Sequence, residues 1–388
     1  MAEVLAPPEA PEEVDVLILG AGPVGMTLAL ALAGSALKVQ LVDRRLVSRQ
    51  QSDPRALALS YGARQLLEPL GAWPEKAATP ITEIHVSQHG FGRTLMQRED
   101  YGLPALGYVA RYGDLAATLA GALAGKSAVA EETEVAAITP LPEVVEVTLQ
   151  HGQTAWRLRT RVLVHAEGSS DDRQASRIRD YRQHAVVAEV RTAPDHGGRA
   201  WERFTADGPL ALLPLGEAYA VVFTVPPEKA DHLMALPDAA FLAALQAQFG
   251  HRLTFTATGP RARFPLALRL RRDVARGREI WIGNTAQTLH PVSGQGFNLG
   301  LRDACQLAEH LLAQADPGNP AALARHAARR RLDRLGGAAF TDGIVRLFSN
   351  DLPPLRIARG LGLFALDLFP PARHFVTRRM IWGARAWP

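Results

Sequence analysis

The residues whose spacing speaks first of chemistry are Gly20, Gly22 and Gly25, in the stretch Gly20-Ala21-Gly22-Pro23-Val24-Gly25. Glycines spaced this way let a backbone turn tightly, lie close to a pyrophosphate and pack a helix on a strand. With 33 Gly in 388 residues, the bare pattern arises by chance about 0.2 times in such a chain, so context has to decide. Before it, residues 14–19 (Val-Asp-Val-Leu-Ile-Leu) are apolar in the β-branched way of a buried parallel strand. After it, residues 26–33 are rich in Ala and Leu and read as a helix. A second apolar run, 38–42, ends in Asp43, about 20 residues past the glycines. A βαβ unit of this kind points a helix N-terminus at phosphates and an acid at a ribose hydroxyl.

The elements that must position this turn recur along the chain. A helix is expected over 61–70, stopped by Gly71, with strands over 81–87 and Gly107–Arg111 and a helix from Asp114 to near Gly125. Residues 144–149 and 154–158 read as a hairpin around His151-Gly152, and 161–166 as a buried strand ending at Glu167-Gly168. Between 183 and 264 the texture changes to short strands with one helical insertion, which fits an antiparallel sheet. The strand 279–283 returns to the first texture, followed by a Gly-rich loop, a helix over 300–313 and a helical remainder broken at Pro353-Pro354 and Pro370-Pro371. The expected fold is α/β: a Rossmann-like nucleotide-binding domain interleaved with an antiparallel-sheet substrate domain, plus C-terminal helices. The nucleotide-binding parts are 14–75, 111–182 and 271–340. The substrate parts are 76–110 and 183–270, and 341–388 is the helical end.

Composition narrows the class. Apolar content of 47% and charged content of 21% are ordinary for a globular chain. One cysteine, Cys305, excludes a disulfide framework or a thiolate metal cluster and suits a reducing compartment; no metal site is expected. No apolar run is long enough to span a membrane, and no secretory signal is present. Residues 1–13, with three prolines and four glutamates, read as a floppy leader. Charge is uneven: residues 321–388 hold 12 Arg against 4 Asp, with no Lys or Glu. That is either a solvated helical surface or a contact for an anionic membrane or partner. Nothing in it resembles a nucleic-acid platform. These readings point to a cytoplasmic chain, peripheral at the inner face of the membrane if its basic end, with Phe369, Phe375, Trp382 and Trp387, meets lipid.

Three segments carry a resemblance. The glycine stretch through Asp43, the run Leu163-Val164-His165-Ala166-Glu167-Gly168, and the long stretch 282–303 (IGNTAQTLHPVSGQGFNLGLRD) resemble the class A flavoprotein aromatic hydroxylases. The third looks like the signature of the ubiquinone-biosynthesis hydroxylases, of the 2-polyprenyl-6-methoxyphenol hydroxylase kind. Trp201-Glu202-Arg203-Phe204-Thr205 and the stretch 208–214 resemble the sheet domain of the same subfamily. The resemblance implies FAD held by Gly20, Gly22, Pro23, Gly25, Asp43 and Arg44. It places Arg55 near the flavin ring and Arg111 near the phosphates or ribityl chain, with Glu167 and Gly168 from the second motif. From the third, Gly283 and Asn284 would lie near the ribityl and pyrophosphate, and Gly296, Phe297 and Asn298 beside the ring. Gln295, Pro291 and Gly294 would form the catalytic face. His290 is expected to pack the loop rather than to catalyse.

Read from the residues alone, the third motif gives the same site. A strand delivers Gly283 to a loop where Gly294 and Gly296 let the backbone lie against a flat ligand, and a helix N-terminus follows. On the sheet, Glu202 and Arg203 face opposite ways, so one of them joins Phe204 at a pocket. The expected pocket is Arg203, Phe204, Leu213 and Pro214, against the plainer reading of sheet packing.

The implied reaction hydroxylates the ring of a polyprenylated phenol in ubiquinone biosynthesis. NADH or NADPH acts as transient reductant, O₂ as oxidant and a flavin C4a-hydroperoxide as donor. Alternatives are a hydroxylase of small soluble aromatics, or a non-catalytic assembly subunit of a quinone-biosynthesis complex; self-association into a homo-oligomer is open. Two departures from the family pattern stand out: Glu167 where Asp is usual, and Ser293 where a small Ala or Gly is usual.

Overall fold

The computed structural model describes residues 12–88, 90–168, 174–349 and 353–383. Trp387 and most of the expected leader lie outside these residues, while Glu12 and Glu13 already belong to the first strand, Glu12–Leu19.

The first sheet is built on parallel strands. Glu12–Leu19 pairs on one side with Val39–Val42 and on the other with Thr154–His165. Thr154–His165 continues to Glu279–Trp281, and Val39–Val42 to Ala128–Ala130. Strands buried on both faces must be apolar throughout, and Val16, Leu17, Ile18, Val162, Leu163 and Val164 all have no exposed surface. One face packs on the helices Pro23–Leu32, Tyr112–Leu123 and Gln295–Leu312. On the other, Leu17, Leu19, Val42 and Leu163 pack with Val145, Val147, Leu149 and Leu158 of the hairpin. Thr154–His165 is one strand: its first half pairs antiparallel with Val145–His151, and its second half enters the parallel core.

Among the described residues the second sheet has nine strands, running from Gln287–Thr288 through Ala262–Arg271 and Ser176–Ala193 to Glu83–Gln88 and Arg93–Gln97. The helices Pro227–Ala235 and Asp238–Phe249 cover one face, with Phe223, Phe241, Leu245 and Phe249 as its core. Its other face turns toward the first sheet. The strand Gly107–Arg111 does not join this large sheet; it pairs with Ala56–Ser60 and Thr79–Ile81 in a small sheet of its own.

The third motif's helix begins at Gln295, earlier than the 300 expected from sequence, because Gly294 at φ 59° turns the chain directly into it. The helix Pro320–Phe348 starts from Asn319, whose side chain accepts the Ala322 N–H at 3.0 Å. Pro353–Leu368 and Pro370–Trp382 close the chain.

Candidate functional site

A cavity of about 820 Å³ runs between the two sheets. At one end Gly22, Pro23, Asp43 and Arg44 line it; at the other its wall is the inner face of the large sheet and three C-terminal helices.

The three glycines of the first motif have different reasons to be there. Gly20 has φ +102°, and a Cβ on it would come within 2.6 Å of the Ala166 carbonyl. A Cβ on Gly25 would overlap the carbonyl oxygen of Gly20. Neither residue lines the cavity; both exist so that the loop can close on its neighbours. Gly22 does line it, and the nearest atom to a Cβ there is the Tyr112 hydroxyl at 3.7 Å. Gly22 is also the N-cap of the helix Pro23–Leu32 and offers no side-chain cap, so first-turn N–H groups are left for a ligand. Asp43 Oδ2 accepts the Ala21 N–H at 2.8 Å and Oδ1 the Arg45 N–H at 2.9 Å, while Gln50 donates to the Ala21 carbonyl at 2.8 Å. The loop is thereby braced from behind.

Midway, Arg55 reaches the cavity from a fork on Asp53, with Nη2–Oδ2 at 2.6 Å, and lies over the Tyr112 ring at 4.8 Å. Glu167 and Gly168 line the wall. Glu167 faces His165 Nδ1 at 3.4 Å, and the other ring nitrogen meets Glu279 at 3.1 Å. Burial works against charging His165, but these two carboxylates outweigh it and raise its pKa. From the third motif, Gly283, Asn284, Pro291, Gly294, Gly296 and Phe297 all line the cavity. Gly283, at φ +60°, donates its N–H to Asp303 Oδ2 at 3.1 Å. The same Asp303 accepts from Gln287 at 2.6 Å and from Arg330 at 2.6 Å, so one buried carboxylate ties strand, loop and two helices together. Sequence reading assigned Asp303 no role; it closes the third motif, and only the fold shows what it holds.

Other expected residues lie elsewhere. Gln295 turns from the cavity and donates to the Met380 carbonyl at 2.8 Å. Asn298 is a buried staple, accepting the Ser60 N–H and donating to the carbonyls of Ala58 and Gly294 at 2.9, 2.9 and 2.7 Å. Arg111 makes a two-pronged pair with Glu189, both contacts at 2.7 Å, and it is Glu189 that lines the cavity. His290 accepts the Val292 N–H at 3.1 Å, caps the turn Pro291–Ser293 and stands edge-on to Tyr181. Burial pushes its pKa down to about 4, which keeps it neutral. The Ser293 side chain lies outside what the structure describes.

On the large sheet, two of the four expected pocket residues, Phe204 and Leu213, reach the cavity and two, Arg203 and Pro214, do not. Glu202 faces the cavity with Phe204, while Arg203 points to the other side and donates to the Gln248 carbonyl at 2.9 Å. Leu213 lines the cavity; Pro214, its neighbour on the strand, takes the opposite face. Phe204 stacks on Phe348 with ring centroids 3.9 Å apart. Arg203 and Pro214 are therefore not pocket residues, and Glu202 is.

A family model for the FAD binding domain matches residues 13–334. A ubiquinone hydroxylase, UbiL, of Rhodospirillum rubrum is 34% identical over 96% of this chain and 91% of that protein. The 3-demethoxyubiquinol 3-hydroxylase of Escherichia coli is 29% identical over 91% of this chain and 94% of its own. Among solved structures, p-nitrophenol 4-monooxygenase PnpA from Pseudomonas putida DLL-E4 shares the fold with a TM-score of 0.78 at 18% identity, covering 96% of this chain and 100% of that one.

Proposed function

The chain belongs to the FAD-binding-domain family of flavoprotein aromatic hydroxylases, and from that premise we propose that it hydroxylates the ring of a polyprenylated phenol in ubiquinone biosynthesis. The observation that carries this is one continuous cavity, polar and glycine-lined where a dinucleotide lies in such folds and apolar beyond it.

The residues present fit FAD. Gly22 leaves open the space that a side chain would fill, and two helices, starting at Pro23 and Gln295, face the cavity with no side-chain cap on their N–H groups. Gly22, Pro23 and Arg44 would hold the pyrophosphate, Asp43 a ribose hydroxyl, and Gly283, Asn284 and Gly296 the ribityl and ring. FAD supplies the activation of O₂, with electrons from NAD(P)H. The chain's own part is to hold the phenol in a reactive pose and keep water away. Phe204, Leu213, Ile344, Phe348, Leu363 and Leu366 make that end of the cavity dry.

The same end reaches the C-terminal helices, and the helix Pro353–Leu368 has two apolar faces. Leu363 and Leu366 line the cavity, whereas Ile357, Leu361, Phe364 and Leu368 are exposed by 52 to 66% at successive turns. Arg356 and Arg378 are exposed close by in sequence. This is the pattern of a helix lying in a bilayer interface, and we read it as the route by which a lipid tail enters. Among the described residues no helix is long and apolar enough to cross a membrane.

The test is deletion of the gene followed by mass spectrometry of the lipid quinone pool, with complementation by wild type and by Gly22→Val. The expected result is a precursor short of one hydroxyl, cleared by wild type alone, whose mass names the step. Rescue by Gly22→Val would assign the chain to an assembly role without flavin, and an unchanged pool would redirect the search to soluble aromatics.

A further inference from the structure

Glu202 lies in a cross-strand row on the inner face of the large sheet. Its register partners are Val86 on one side and Ala211 on the other. The row extends to Thr94 beyond Val86 and to Val222 beyond Ala211. All five line the cavity. From the helices opposite, the lining residues are Phe340, Ile344, Phe348, Leu363, Leu366, Val376 and Met380, none of them titratable. Oε1 of Glu202 is buried with no hydrogen-bond partner among the described residues. A carboxylate oxygen buried without a partner, in a row that otherwise offers Val, Ala and the Thr94 hydroxyl, is costly to keep. Evolution tolerates such a group where a ligand completes it.

The rest of the cavity wall carries Asp43, Arg44, Arg45, Arg55, Glu167 and Glu189, together with the titratable Tyr112 and His290. None of these acts on Glu202, whose pKa is raised to about 8 by burial alone. The group is thus an isolated base at the dry end, tuned far closer to a phenol than an exposed carboxylate would be.

We propose that Glu202 receives the ring hydroxyl of the substrate and takes its proton as the ring is activated. This rests on the hydroxylase reading above and adds the group that ionises the substrate. In the step, the substrate O–H bond breaks and an O–H bond forms on the carboxylate. The electron pair stays on the substrate oxygen as phenolate, which makes the ring a better nucleophile, and the net charge of the pair is unchanged. Over the cycle the carboxyl ends as it began, its proton leaving with the oxygen atom that O₂ releases as water.

The experiment uses the FAD-loaded protein and a phenol bearing a short 2-prenyl chain, whose own hydroxyl stays protonated in water through about pH 9. Glu202→Gln should bind it within about threefold of wild type by equilibrium dialysis. With the physiological class of substrate, kcat of the Gln variant should fall by about 100-fold, the scale of lost general-base catalysis. The rise of the wild-type rate through pH 8 should vanish with it, and Glu202→Asp should recover part of both. An unchanged flavin spectrum shows that the variant is folded. An unchanged kcat in Glu202→Gln, or an unaltered pH profile, overturns the assignment. Failure of wild type to bind any prenylated phenol overturns the hydroxylase reading itself and this proposal with it.

Discussion

Two glycines three positions apart separate binding from folding at the scale of single residues. A methyl at Gly25 overlaps the Gly20 carbonyl, so Gly25→Ala has to push helix from strand, a distortion that costs at least about 1–3 kcal/mol. A Cβ at Gly22 comes no closer than ordinary contact, 3.7 Å from the Tyr112 hydroxyl, and the rest of a side chain enters the cavity. Calorimetry should therefore show Gly25→Ala melting well below wild type, while Gly22→Val keeps the melting temperature of the flavin-free protein but does not retain flavin on gel filtration. Equal melting losses for the two would contradict this division. Glu202 carries its own prediction. Its carboxyl titrates near 4.5 ordinarily and near 8 when folded. Between those values the folded chain holds the proton that the unfolded chain has lost, so stability falls as pH rises across that window and levels off above it. Glu202→Gln removes this dependence, and its advantage in melting temperature over wild type should grow from pH 5 to pH 8. A constant difference across that range would show that Glu202 is not desolvated.

At the scale of elements, the third motif is held in place by one side chain. Asp303 bonds the Gly283 N–H, Gln287 and Arg330, joining the turn after the strand Glu279–Trp281, the short strand Gln287–Thr288 and the helix Pro320–Phe348. Removing one partner of a buried ion pair costs about 3–5 kcal/mol, and since Arg330 keeps Asp333 at 2.9 Å the lower end, about 3 kcal/mol, applies. Asp303→Ala should lose that much in a denaturant titration and should also weaken flavin, because Gly283 lines the cavity. A loss below 1 kcal/mol would mean that water replaces the carboxylate. Gln295 and Asn298 belong at this scale too. Both were read as contacts to a ligand, and both are spent on the fold, one on the helix Pro370–Trp382 and the other on the strand Ala56–Ser60. The sequence marks a polar residue beside a ligand loop, but not whether a backbone group lies nearer than the ligand.

The whole molecule adds a surface that no single element explains. The helix Pro353–Leu368 shows four large apolar residues outward, and Phe369 and Phe375 extend the patch. Leu361→Glu with Phe364→Glu should lower co-sedimentation with anionic lipid vesicles by at least tenfold, while leaving turnover of a short-tailed phenol near wild type. If vesicle binding is undiminished, the patch serves another occupant, such as a second copy or a partner protein.

What the sequence by itself determined is local. A GxGxxG turn, the acid after the second strand and the glycines of the third motif are set by positive φ, close backbone approach and free helix N–H groups, all within a few residues of chain. These gave the nucleotide-binding fold and the cavity's polar end, with Gly22, Asp43, Gly283 and Gly296 among the residues found there. The tertiary structure alone decided the phase of each strand and the partner of each long side chain. That Glu202 and Arg203 face opposite ways follows from the period of a strand. Which of them meets the cavity depends on how the strand registers with Glu83–Gln88 and on which face the helices Pro227–Ala235 and Asp238–Phe249 cover. Arg111 was expected, from the resemblance, near the phosphates or ribityl chain. Its partner Glu189 lies on another sheet, and only packing brings the two within 2.7 Å. Short-range geometry is written in residue types; long-range pairing is settled by which buried surfaces fit.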